Sequence, residues 1–322
     1  MAKTIWDYIR EACEQCNISI PSDGLPFTNN QDVKSSIIDA EGRNRVMLFP
    51  GAFNPAHEGH LQLLQSVLND MKKHLDIRGV VIFPHDDEQI RDKTREEPAD
   101  LGLDKSKRSA LWRNAAGFPA DNAWIFTESR SALTRFQKQL QGNLRKENVN
   151  LTFLLLVGSD WISTRAVYDP GQWNCSETIT SDVSRPVDFR CEYTLRQIPG
   201  CFDWVQMVFA ESTTYFPWDS FQTPYGPHMV EGVSLWSTST VSPPIRRYYL
   251  VPCLRACSLG TPCPSSTSIR QRIFEACAER LPIDEAVLAT ALSPDILLGY
   301  IRGNVPSFDG EEARGEESQS VL

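Results

Sequence analysis

The run "RVMLFPGAFNPAHEGHLQLLQSVLNDM" (45–71) sets the tightest limit on how this chain can fold. "VMLF" (46–49) is apolar at every position, as a strand covered on both faces must be. Leu61, Leu64, Val67, Leu68 and Met71 then recur at helical spacing, which predicts a helix from about Glu58 to Leu75. "GVVIF" (79–83) reads as the next buried strand. Strand, helix and strand in this order form a βαβ unit, which requires a parallel sheet with a right-handed crossover.

The remaining pattern extends that unit into one α/β fold. Residues 1–19 read as an amphipathic helix with Ile5, Trp6, Ile9, Ala12 and Cys13 on one face, and residues 20–42 as a polar connection. Residues 85–106, "HDDEQIRDKTREEPADLGLDKS", are charged and read as a mobile loop. A helix over 107–117, a short strand "AWIF" (123–126) and a helix over 131–142 follow. "LTFLLLVG" (151–158) is the strongest strand signal, with further strand candidates at "WVQMVFA" (204–210) and "RRYYLVP" (246–252). Helices are expected at about 267–280 and 294–301. The aromatic-rich stretch 211–244 is long for a loop. The expected architecture is a Rossmann-like, doubly wound parallel sheet with C-terminal helices and a long insertion at about 174–262. Residues 1–42 form a leading helix and linker, residues 43–302 the main domain, and 303–322 an acidic tail poor in apolar residues, which predicts disorder.

Composition narrows the function. A net charge of -9 argues against a general nucleic-acid binder, while leaving room for a small anionic substrate in a local basic pocket. No apolar run is long enough to suggest a membrane span, and the first residues lack the apolar core of a secretory signal. The nine cysteines are odd in number, which favours reduced thiols in an intracellular protein, cytoplasmic or nuclear. Cys13 and Cys16 form one CxxC with no second pair to complete a zinc site, so no metal ligands are assigned.

Ligands of open parallel sheets bind beyond the carboxyl ends of the strands, where "PGAFNPAHEGH" falls. Gly51 permits close approach of backbone to a ligand, and Pro55 stiffens the loop. His57 and His60 fall in the first turn of the following helix, where free N–H groups and the helix dipole favour anions. A metal pair is the competing reading of "HEGH", but zinc histidines on one helix prefer i, i+4 spacing. The residues therefore point to a phosphate site with imidazoles as added donors.

"GAFNPAHEGH" resembles the GxFxPxHxGH signature of the nucleotidylyltransferase superfamily, whose members transfer a nucleotide from ATP or CTP to a phosphorylated acceptor. "SSTSIR" (265–270) resembles the SSTxIR motif of these enzymes, and "LSPDILLGYI" (292–301) and "LLLVGSDWIST…YDPGQW" (154–173) are similar to regions of nicotinamide mononucleotide adenylyltransferases. The resemblance covers about 45–302, weakly over 174–262. It implies His57, His60 and Arg270 as catalytic residues. It implies contacts to the nucleotide from Gly51, Ala52, Phe53, Gly158, Asp160, Ser266, Thr267, Lys93 and Arg108. Lys105 and Lys107 are rivals to the last two. A magnesium ion bound mainly through the ATP phosphates is implied as well. Ser-Ser-Thr at 265–267 also reads as a plain helix cap, and a capped helix start is itself an anion site.

The acceptor is the least constrained part. Related enzymes show a "DWIxVxxWE" pattern whose second tryptophan stacks on the pyridine ring. The counterpart here, "NAWIFTESRS" (122–131), keeps Trp124 and carries Arg130 at the second position. The resemblance implies ATP and a phosphorylated small-molecule acceptor, nicotinamide mononucleotide or its acid form, giving NAD and pyrophosphate. Trp124 and Arg130 are assigned to acceptor binding. Tyr215, Trp218, Phe221, Tyr225 and Trp236 offer alternative platforms, or simply pack a lobe. Another phosphorylated acceptor, CTP in place of ATP, and an inactive nucleotide-binding relative stay open, as does homo-oligomerisation.

Overall fold

A computed structural model describes residues 3–20, 27–29, 32–33, 37–95, 101–191, 194–209, 234–253 and 263–304. Helix α1 (Ile5–Cys16) is followed by a small antiparallel pair, β1 (Thr28–Asn29) and β2 (Asp32–Val33). The βαβ unit then appears as β3 (Asn44–Gly51), α2 (Glu58–Met71) and β4 (Ile77–Pro84), with β3 and β4 parallel. Next come α3 (Asp87–Thr94), α4 (Lys105–Arg113), β5 (Ala123–Ile125), α5 (Arg130–Lys146) and β6 (Leu151–Leu156). The second half supplies β7 (Glu177–Ser181), β8 (Val205–Val208), β9 (Ser234–Ser239) and β10 (Arg247–Val251). Helices α6 (Ser266–Ala278), α7 (Glu285–Leu288) and α8 (Pro294–Asn304) follow.

The main sheet has eight strands in the order β5-β4-β3-β6-β7-β10-β9-β8. Every pairing from β5 to β10 is parallel, and β9 and β8 close one edge antiparallel. Side chains alternate across β3: Val46 and Leu48 enter one core, Met47 and Phe49 the other. The first core is roofed by α1 and α5, the second by α2 and Trp112 of α4. This is the doubly wound α/β architecture expected from the sequence. The leading helix belongs to the fold: Tyr8 Oη donates to Glu147 at 2.6 Å, and Gln139 and Asn143 of α5 donate to Gln15.

A third cluster positions the site. Leu111 of α4, Ile269 and Ile273 of α6, Leu288 of α7, and Leu297 and Ile301 of α8 pack together. Ser293 Oγ donates to Leu111 O at 3.0 Å, tying the start of α8 to α4. The C-terminal helices are thereby held beside the sheet.

Three expectations need correction. The charged stretch 85–106 is not a plain mobile loop: it contains α3, and α4 begins at Lys105. Burial of Ile90 and the ion pair between Arg108 and Asp87 give α3 its hold. Strand β7, "ETITS", was missed because it reads as polar, although all five residues are buried. Two of its polar side chains are answered internally: Glu177 by Arg45, and Thr180 Oγ1, which donates to Val157 O at 3.0 Å. Residues 174–262, expected as a long insertion, supply four strands, of which β7, β10 and β9 lie inside the sheet and β8 forms its edge. Tyr215, Trp218, Phe221 and Tyr225 lie outside the described residues, as does the tail from 305. Trp236 lies in β9. Among the described residues, no helix is long and apolar enough to cross a membrane.

Candidate active site

A cavity of about 320 Å³ opens at the carboxyl ends of β3 and β6. Its wall includes Gly51, Ala52 and Phe53 after β3, His57, Gly59 and His60 at the start of α2, and Gly158 and Asp160 after β6. Ser266, Thr267 and Arg270 enter from α6. Two motifs separated by more than half the chain thus face one space, each at a helix start where N–H groups attract anions.

The joint between them is hydrogen-bonded. Arg270, 4% exposed, donates through Nη1 to Asn54 O and through Nη2 to Thr267 Oγ1 at 3.2 Å. Ser266 Oγ donates to Pro55 O at 2.8 Å, while Ser265 Oγ caps α6 by accepting from Ser268 N–H at 3.0 Å. The α2 start is also tied to the C-terminal segment: Glu58 N–H donates to Thr290 O and Leu292 N–H to Ala56 O, each at 2.9 Å. Gly51 is required by close approach, since a Cβ there would lie 2.5 Å from the Phe53 ring.

His57 sits at the N-cap of α2 in extended conformation. Its ring stacks on His60 with centroids 3.6 Å apart, and its N–H donates to His60 Nδ1 at 3.3 Å. With Nδ1 accepting, a neutral His60 ring carries its proton on Nε2. The edge contact of Phe53, 5.0 Å from His60 at 89°, holds that ring from the core side. Burial, and then the Arg185 charge, pull the His57 pKa down to about 4, so His57 is neutral at pH 7.

Both amide atoms of Asn54, Nδ1 of His57 and Oγ of Ser159 are buried without a hydrogen-bond partner among the described residues. All three side chains line the cavity. An unanswered buried polar group costs roughly 1–3 kcal/mol, so three of them on one wall mark where a polar ligand would restore the bonds.

The other assigned residues lie elsewhere. Arg108, fully buried, donates to Ala52 O at 2.8 Å, His85 O at 2.7 Å and Leu103 O at 3.1 Å, and pairs with Asp87 at 2.6 Å. It braces the backbone behind the cavity and does not line it. Lys105 reaches Asp86 at 2.9 Å and lies over the Phe83 ring. Lys107 lies over Tyr300 of α8. Lys93 falls in the last turn of α3, and its side chain is outside the described residues. Trp124 is buried against Phe126 and Phe136 and does not line the cavity. Arg130 starts α5, places its guanidinium 4.2 Å over Trp173, and donates to Gln172 O at 2.9 Å. His85, on the cavity wall, also stacks on Trp173, so Arg130 stands one layer behind that wall.

Ser184 and Arg185 were missed. They line the cavity just past β7, and Arg185 approaches Asp160 at 3.9 Å. The signal was a cation just beyond the carboxyl end of a strand, and it could not be read while the strand itself went unread. No group of three His, Cys, Asp or Glu among the described residues is arranged to hold a metal ion.

The sheet, the glycine-bearing loop after β3 and the paired helix starts place this cavity where Rossmann-like α/β folds bind their ligands, beyond the carboxyl ends of the strands. Residues 48–180 match the family model described as cytidylyltransferase-like, from β3 through nearly all of β7. That similarity supports nucleotidyl transfer in general as the activity of this domain. A comparison with curated proteins found no match.

Proposed function

We propose that this chain transfers the AMP group of ATP to a phosphorylated acceptor, nicotinamide mononucleotide or its acid form, giving NAD (or its acid form) and pyrophosphate. The observation that carries this reading is the meeting of the α2 and α6 starts, with His57, His60, Ser266, Thr267 and Arg270, on one cavity. An oxygen of the acceptor phosphate forms a bond to the α-phosphorus of ATP. The bond from that phosphorus to the bridging oxygen breaks, and pyrophosphate leaves with the electron pair. The acceptor phosphate is already anionic, so no general base is needed, and positioning with charge stabilisation supplies the catalysis.

His60, holding its proton on Nε2, donates toward the oxygens that gain charge. His57 receives its missing hydrogen-bond partner from the triphosphate. Arg270, Ser266 and Thr267 hold the β- and γ-phosphates at the α6 start, joined by Arg185 across the cavity. Gly51, Ala52, Phe53, Gly158 and Asp160 contact the nucleoside and α-phosphate, while Arg108 positions the Ala52 carbonyl. Magnesium would be held mainly by phosphate oxygens and water, with Asp160 the carboxylate on this wall. When bound, it neutralises charge on the leaving pyrophosphate.

A second reading, another phosphorylated acceptor, is favoured by one observation. Trp173 is 4% exposed and already contacted by Arg130 and His85, which leaves little of its surface for a pyridine ring. Incubation with ATP, magnesium and nicotinamide mononucleotide, following dinucleotide and pyrophosphate, tests the first reading. Product that disappears in His60→Ala supports it. ATP binding without product sinks it, and a pyrophosphate-release screen over other acceptors and CTP then tests the second.

A further inference from the structure

The opposite end of the sheet carries a second polar cavity, of about 240 Å³. It lies at the amino ends of β3, β6, β7 and β10, with the sheet between it and the first cavity. Its wall brings together Arg43, Arg45, Arg247 and Glu177, together with neutral donors from Asn150, Thr152 and Ser176. The local balance is three positive charges against one negative, in a chain whose net charge is -9.

The one carboxylate is already spoken for. Arg45 Nε and Nη2 donate to the two oxygens of Glu177 at 2.6 and 3.1 Å, and Tyr249 Oη donates at 3.0 Å. Arg247 adds a longer contact through Nη1 at 3.4 Å, and its Nε and Nη2 have no partner among the described residues. Arg43 is exposed and enters no hydrogen bond or ion pair among the described residues. The side chains of Asn150, Thr152 and Ser176 likewise make no hydrogen bond among the described residues. Among the described residues, two guanidinium groups with free donor edges and three neutral donors therefore surround a hollow whose one carboxylate, Glu177, is already hydrogen-bonded. Guanidinium forks match the oxygens of phosphate, and a doubly charged oxyanion balances the two surplus charges.

We infer that this amino-end cavity is a second anion site, which takes a small phosphate-bearing ligand of one or two phosphate groups between Arg43 and Arg247. It does not depend on the reaction proposed for the other end of the sheet.

The test is amide chemical-shift mapping of the full chain, titrated with inorganic phosphate and, separately, with pyrophosphate. The site predicts shifts at residues 43–45, 150–152, 176–177 and 247, with a saturation curve of their own, distinct from residues around Gly51, Gly158 and Ser266. Phosphate alone saturating the amino-end set identifies a one-phosphate ligand; saturation by pyrophosphate only identifies two. Arg43→Glu, at an exposed side chain without a partner, should keep the fold and weaken the amino-end titration at least about tenfold, the loss of one charged hydrogen bond. Arg247→Gln should weaken it similarly, while the other set of amides keeps its midpoint. Movement confined to the carboxyl-end cavity, or an unchanged midpoint in folded Arg43→Glu, would overturn the assignment.

Discussion

Two buried polar clusters at opposite ends of the sheet are in opposite states. At the amino end, Glu177 is answered by Arg45, Tyr249 and Arg247, so its ionised form is fully partnered although buried. Burial opposes that charge, but the hydrogen bond and charge of Arg45, with help from Tyr249 and Arg247, hold the pKa below the ordinary carboxylate value. At the carboxyl end, Asn54, His57 and Ser159 are buried and unanswered. The same sheet thus uses a closed polar network to join β3, β7 and β10, and an open one to face a ligand. A satisfied network stabilises without reacting, whereas unsatisfied donors and acceptors hold free energy that only a bound partner releases.

Breaking the closed network should have the largest effect. Glu177→Gln leaves the Arg45 guanidinium buried without its counter-charge, and loss of one member of a buried pair costs about 3–5 kcal/mol. Denaturant unfolding should show that loss, and the double change Arg45→Met with Glu177→Leu should recover much of it. If Glu177→Gln unfolds at the wild-type midpoint, the contrast between the two ends collapses.

The open end should respond in rate and not in stability. On the proposed mechanism His60→Ala removes a donor aimed at developing charge, and comparable donors are worth roughly 100- to 1000-fold in kcat. Its unfolding midpoint should move far less than that of Glu177→Gln. An assay of transfer beside a melt of the same sample separates the two outcomes.

What could be read beforehand followed the periodicity of the chain. The strands β3, β4 and β6 have apolar centres because both faces are covered there, so they stood out, and the loop after β3 followed from them. Strand β7 hid because Glu177 and Thr180 meet their partners only across the sheet, and no local pattern reports that. Arg185 hid with it. Arg108 was found as a residue but not as a role: a cation in a charged stretch reads as a phosphate ligand, whereas here it braces three carbonyls and Asp87. Trp124 was drawn toward the site by its place in a motif, while β5 turns it into the core against Phe136.

The third effect is a pH dependence that belongs to the open end. His57 has its pKa lowered to about 4, mainly by burial. In the unfolded chain it titrates near 6.5, so below that pH the unfolded state binds more protons and folding loses stability as pH falls. The contribution is complete above about pH 6.5 and fades toward pH 4, amounting to roughly 3 kcal/mol over that range. Comparing unfolding free energies of wild type and His57→Gln across this window isolates the term, and the difference should grow with pH. Triphosphate binding should reverse part of the shift, because an anion beside the ring favours the charged form. Calorimetry at pH 5.5 in buffers of different ionisation enthalpy should then register proton uptake on binding.

The smallest effect separates holding a ligand from merely starting a helix. Ser265 and Ser266 are neighbours with different tasks: Ser265 Oγ caps α6 through Ser268 N–H, and Ser266 Oγ ties α6 to the loop at Pro55 O. Removing a cap costs about 1 kcal/mol, and removing a neutral hydrogen bond costs about the same. Ser265→Ala should therefore lower stability by that amount and leave the KM for the nucleotide close to wild type, because the cap acts within α6. Ser266→Ala should lower stability equally but raise KM several-fold, because its bond sets the distance between the two helix starts that face the cavity. If both variants shift KM alike, the α6 start serves as one capped anion site, and the tether to Pro55 adds nothing to binding.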